Sequence, residues 1–117
     1  MEQTVLVNGI KKEIPIKTIL DEERIDEIIT PEMIEFYVKD KPSWHEYSTN
    51  RDGIRVWQFD NNKEWVQITI PFNRNFSDYK YALYRCIKNL SFVEKNDEID
   101  VFKNIVNNWN SKLSWNL

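Results

Sequence analysis

Residues 65–71 read Trp65-Val66-Gln67-Ile68-Thr69-Ile70-Pro71, and their reading decides the fold. Val66, Ile68 and Ile70 alternate with Trp65, Gln67 and Thr69. Alternation with period two, carried by β-branched residues, is the pattern of a strand with one apolar and one polar face. Pro71 lacks an amide donor and stops it. Downstream the period changes. Tyr79, Leu83, Cys86, Leu90 and Val93 recur at steps of four and three, and Ala82 and Ile87 widen the stripe. That spacing predicts a helix over about 77–94, with Ser77 as N-cap and Asp78 in the first turn. Ile99, Phe102, Ile105, Val106 and Trp109 mark one face of a second helix over about 97–109.

Upstream, Ile54-Arg55-Val56-Trp57-Gln58-Phe59 reads as a strand joined to the first by the turn Asp60–Glu64, so the two make a hairpin. Asp40-Lys41-Pro42-Ser43 breaks the chain, and Trp44 to Gly53 follows without periodicity, as a loop. Thr30-Pro31-Glu32 is a helix start, with Thr as cap and Pro at the first helical position. We expect a helix there, although Met33 to Val38 has the composition of a strand as well. A preceding short helix, capped by Thr18 and ending near Thr30, is expected from Ile25, Ile28 and Ile29. Asn8-Gly9 lies between two apolar runs, the strongest short hairpin signal, and places a first hairpin over about 3–16. Pro15 makes its second strand an edge or its end. Residues 111–117 are expected to fray, with Leu113, Trp115 and Leu117 apolar enough to dock elsewhere. The expectation is therefore an α+β fold in a single domain, 1–117: two antiparallel β-hairpins, two short N-terminal helices, and a C-terminal helix pair packed on the sheet.

Bulk composition excludes several classes. The 117 residues suit one domain. No run approaches the roughly 18 apolar residues of a membrane span. The first residues lack the basic-then-apolar pattern of a signal peptide. Cys86 is the only cysteine, so no internal disulfide can form, and a reducing cytoplasm is expected. The Asn, Ile and Lys bias points to a bacterial or phage-like setting. Net charge is only −3, which gives no global drive toward nucleic acid. Its distribution is uneven. Asp21, Glu22, Glu23, Asp26, Glu27, Glu32 and Glu35 cluster around one base, Arg24, whereas Arg74, Lys80, Arg85, Lys88 and Lys95 share their segment with only Asp78 and Glu94. The two patches face each other, lie on separate solvated faces, or serve as an acidic surface for a basic partner or a basic one for phosphate.

Common catalytic constellations are missing from the pattern. One histidine, His45, and one cysteine cannot build a zinc site. Glu46 beside His45 is an acid–base pair only if both point the same way. Cys86 sits on the apolar stripe of its helix, which makes a buried thiol and a poor nucleophile. Gly9 and Gly53 are isolated, so no glycine-rich loop cradles phosphate. We expect no enzyme activity, no cofactor and no metal.

The order strand, helix, short turn, helix over residues 65–110 resembles a ribbon-helix-helix module. The resemblance implies a strand that pairs with its copy in a second chain and enters the DNA major groove, with Gln67 and Thr69 as types that read base edges. Three features depart from that family's pattern. The strand has a partner within its own chain, the first helix is long, and the second helix begins Asn96-Asp97-Glu98, whose acids repel phosphate.

Aromatic residues make up 14% of the chain, including five Trp, more large rings than a core of this size readily takes. The expected function is thus a small non-catalytic, cytoplasmic binding or regulatory module acting through contacts with another protein or with itself as a homodimer. A ribbon-helix-helix-like DNA-binding regulator or antitoxin-type protein is the alternative. The candidate interaction surface is Trp57, Trp65, Gln67, Thr69, Tyr81, Tyr84, Arg85, Lys88 and Trp115. Trp57 and Trp65 form a cross-strand patch there if they share a sheet face.

Overall fold

A computed structural model describes residues 2–7, 10–15, 24–47 and 51–115, with side chains over 24–47 and 51–112. It is a mixed α+β structure. Strands β1 (Glu2–Val7) and β2 (Ile10–Pro15) pair antiparallel, from Glu2 opposite Pro15 to Val7 opposite Ile10. Helix α1 (Pro31–Lys39) follows. Strands β3 (Trp44–Tyr47), β4 (Ile54–Asp60) and β5 (Trp65–Pro71) form an antiparallel sheet in that order. Helices α2 (Tyr79–Glu94) and α3 (Glu98–Trp115) close the chain.

The local chemistry accounts for the boundaries. Thr30 Oγ1 accepts the Met33 N–H at 3.3 Å, and Pro31 opens the helix behind it, which makes residues 33–38 helical. An N-cap of this kind contributes about 1 kcal/mol. In the β4–β5 turn, Asp60 Oδ1 accepts the Asn62 N–H, and Asn61 Oδ1 accepts those of Lys63 and Glu64. Asn62 takes φ 72°, which Asn tolerates better than most residues. Pro71 ends β5 opposite Ile54, in a position whose missing N–H points away from β4 and so leaves no ladder bond unmade.

Several expectations need correction. Trp44–Tyr47 is a strand, not part of a loop. Only Trp44 is buried in it, so the period-two signal is absent from its sequence. The second hairpin is thereby part of a three-stranded sheet. In place of a first short helix, the described part of that segment is a single 3-10 turn, Ile25–Glu27 (Thr18 lies outside the described residues). Ile25, Ile28 and Ile29 are nevertheless buried. α2 starts two residues after Ser77, with Asp78 at the cap position and no capping side-chain bond. α3 runs on to Trp115 where fraying was expected.

The C-terminal pair does not sit on the sheet as a unit. α2 lies along β5, whereas α3 packs across α1 and α2 and beside β1. α1 takes the sheet's inner face. Trp44, Trp57, Ile68 and Ile70 point inward and join one contiguous core with Met33, Ile34 and Val38 of α1, Leu83, Ile87 and Leu90 of α2, and Phe102 and Ile105 of α3. Glu35 of α1 braces this face: it pairs with Arg55 at 2.6 Å and accepts the Trp57 indole N–H at 3.2 Å. Tyr37 donates to the Glu94 carboxylate, tying α1 to the end of α2. Phe36 and Trp109 meet edge to face at 5.8 Å between α1 and α3.

α2 ends at Lys95, which adopts φ 56°, ψ 38° and donates its N–H to the Ser91 carbonyl. A left-handed cap favours glycine, because a Cβ there crowds the following carbonyl. Lys95→Gly should raise stability by about 0.5–1 kcal/mol, the relieved strain outweighing the extra unfolded-state entropy. A urea titration checks this: the midpoint should rise with an unchanged m-value.

Candidate functional site: the groove between β5 and α2

The register of β4 against β5 sets the site. Arg55, Trp57 and Phe59 lie opposite Ile70, Ile68 and Val66, on the inner face. Val56, Gln58 and Asp60 lie opposite Thr69, Gln67 and Trp65, on the outer face. Side chains alternate along a strand, so Trp57 and Trp65 point to opposite sides of the sheet. The proposed cross-strand patch of these two rings does not form. Trp57 is core, 7% exposed, while Trp65 is 62% exposed. Val56, on the outer face, is buried yet stands apart from the main core.

α2 seals the outer edge of β5. Asn89 Nδ2 donates to the Gln67 carbonyl at 3.2 Å, and the Cys86 thiol donates to the Thr69 carbonyl at 3.4 Å. Helix and strand diverge outside these contacts and leave a groove of about 660 Å³. Trp65, Val66, Gln67 and Thr69 line its strand side. Asp78, Tyr81, Ala82, Arg85, Cys86, Asn89 and Phe92 line its helix side. Beyond Tyr81 lies a second hollow of about 470 Å³, bounded by Asp26, Arg74, Phe76, Ser77, Tyr79 and Lys80.

The groove's rings are unusually open. Among the described residues the exposed large hydrophobic side chains are Tyr47, Trp65, Tyr81 and Phe92, and three of these four line this one groove. The Arg85 guanidinium lies 5.8 Å from the Tyr81 ring centre and Lys88 Nζ 5.5 Å from that of Tyr84, so cations and rings interleave along the helix.

Of the nine residues singled out from sequence, Trp65, Gln67, Thr69, Tyr81 and Arg85 meet in the groove. Lys88 is exposed on the next turn of the same helix. Tyr84 is half-buried on the flank toward α3, where its hydroxyl donates to Glu98 at 3.0 Å. Trp57 is on the other side of the sheet. The Trp115 side chain lies outside the described residues. Phe92 and Asn89 escaped the sequence reading. Phe92 was within reach of it: Tyr81, Arg85, Lys88 and Phe92 are spaced four, three and four apart, a second helical stripe on the face away from the core.

His45 and Glu46 are neighbours in a strand, so they point to opposite faces and cannot act on one substrate group. Among the described residues, no cluster of His, Cys, Asp or Glu is placed to hold a metal ion, and no helix is long and apolar enough to cross a membrane.

Cys86 lines the groove only from behind. It is 1% exposed, and burial pushes its thiol up from the ordinary 9.0 to about 12, with nearby Arg85 opposing weakly. Only the thiolate is nucleophilic. At pH 8 a thiol-specific disulfide reagent should therefore react with the folded protein far more slowly than with the urea-unfolded chain. The same shift has a stability consequence. The thiol's contribution is complete below about pH 9 and is lost as pH rises toward about 12, because the unfolded chain releases its proton first. Burial and the Glu94 carboxylate likewise raise the Tyr37 hydroxyl, so alkaline unfolding draws on both groups.

No protein-family model, curated protein or solved structure matches the chain.

Proposed function

We infer that the protein is a small non-catalytic binding or regulatory module of the cytoplasm, acting through protein–protein contacts at the β5–α2 groove. One observation carries this reading: Trp65, Tyr81 and Phe92 stand open around a single groove, although the core has taken up rings as large as Trp44, Trp57 and Phe102. Large exposed rings cost solvation free energy in a monomer and are the residue types that dominate binding energy at interfaces. The partner is another protein or a second copy of this chain.

The alternative is a ribbon-helix-helix-like DNA-binding regulator or antitoxin-type protein. The order β5–α2–α3, with Gln67 and Thr69 exposed, favours it. Against it, β5 already pairs with β4 along one edge, and its outward carbonyls at Gln67 and Thr69 accept from α2 on the other. A strand bound on both edges has no side left for an inter-chain ribbon.

Site-specific photo-crosslinking separates these readings. A photoreactive side chain at Phe92, in the groove, should give a discrete protein adduct in cells that express the chain. The same group at Asn108, exposed on α3, should not. An adduct of twice the chain's mass identifies a second copy. Equal labelling at both positions, or none at Phe92, would overturn the assignment. Duplex DNA binding in a low-salt gel shift, weakening steeply as salt rises, would favour the DNA reading instead.

A further inference from the structure

The rings around the groove stand in a cationic track. Arg85 lines the β5–α2 groove, and Arg74 and Lys80 line the hollow beyond Tyr81. Lys88 is exposed one turn from Arg85, on the stripe that ends at Phe92. From Tyr79 to Val93 the helix carries three bases and no acid. The acids that do reach these hollows, Asp26 and Asp78, both sit at the N-terminal end of α2. The other half, from Arg85 to Phe92 and Trp65, is cationic and aromatic, and no acid lines it.

Resting on the binding-module reading, and on this charge complementarity, we propose that the groove takes an acidic amphipathic peptide helix. An apolar side chain of the partner seats between Trp65 and Phe92. A carboxylate one turn away meets Arg85 and Lys88, where a forked pairing with the guanidinium fixes its orientation. The occupant docks by side chains, because strand addition would have to displace Asn89 and Cys86 from the Gln67 and Thr69 carbonyls. Tyr81 to Phe92 spans about 16 Å of helix axis, so about three turns of partner helix cover it. A single-stranded nucleic acid also uses rings and cations. It presents one charge per nucleotide to a protein of net charge −3, however, and near Trp65 and Phe92 the cations are Arg85 and Lys88, with Arg74 and Lys80 at the far end beyond Tyr81.

Panning a random twelve-residue peptide library on phage against the intact protein tests this, with Arg85→Glu and Phe92→Ala panned in parallel. Recovered peptides should carry Asp or Glu three or four residues from a large apolar residue. Their affinity should fall at least about tenfold in either variant. Arg85→Glu should recover basic peptides in their place, a reversal that damaged folding does not produce. Peptides that need Phe92 but show no excess of acids would remove the acidic specificity and leave the binding-module reading standing. Peptides indifferent to both variants, or no peptides, would remove both. A fluorescein-labelled twelve-base oligothymidylate that binds more tightly than the selected peptides, and is lost in Arg85→Glu, would replace the peptide with a single strand.

Discussion

Trp57→Ala should destabilise the protein by about 3–5 kcal/mol, whereas Trp65→Ala should change stability by no more than about 0.5 kcal/mol. The two residues share chemistry and a hairpin, and differ in which way they point. Trp57 faces the core beside Ile68, and its truncation leaves a cavity under α1. It also removes the indole N–H that Glu35 accepts, a carboxylate otherwise held by Arg55. Trp57→Phe keeps most of the ring and loses the hydrogen bond, so it should cost about 1 kcal/mol. Against a typical total of about 5–15 kcal/mol, the alanine change removes a large fraction of the stability. Its Tm should fall by on the order of 10 °C or more. Thermal and urea unfolding of the three variants check this, and equal losses for Trp57→Ala and Trp65→Ala would mean that the strand register is wrong.

Phe102→Ala is expected to cost about 3–5 kcal/mol, and Phe92→Ala within about 0.5 kcal/mol. Phe102 is 1% exposed and is among the largest fully buried side chains; α3 uses it to dock on α1 and α2. Phe92 is 63% exposed at the groove rim. The contrast tests the packing of α3, which docks on α1, α2 and β1. If Phe102→Ala left the urea midpoint near the parent's, α3 would not be part of the core. Phe92→Ala serves a second purpose, since loss of partner binding at full stability separates a docking side chain from a structural one.

Much of the architecture was legible because it rests on short-range periodicity. Steps of three and four put Tyr79, Leu83, Cys86 and Leu90 inside, and all four are buried. The Thr30-Pro31 start is read from local hydrogen-bonding capacity, and the hydroxyl makes the bond that capacity implies. The alternation in 65–70 places Ile68 and Ile70 in the core and Gln67 and Thr69 outside. β3 was not legible, because a strand with one buried residue has no alternation to read. Its strand character comes from pairing with β4, a contact between segments that are not adjacent in the sequence.

The groove was half legible for the same reason. Arg85 and Tyr81 share a helix, and Gln67 and Thr69 a strand, so each wall can be read from its own stretch. That the walls face each other depends on α2 lying along the edge of β5, which no local pattern encodes. The register of β4 against β5 is also non-local, and a slip of one residue would exchange the two faces of the strand. The sequence by itself therefore determined the periods of β5, α2 and α3, and through them the apolar stripe of each of these three. Only the tertiary structure decided that Trp57 is core while Trp65 is surface, and that Asn89 and Cys86 close the β5 edge. Those outcomes rest on contacts between distant segments, where burial and hydrogen bonding are settled jointly by both partners.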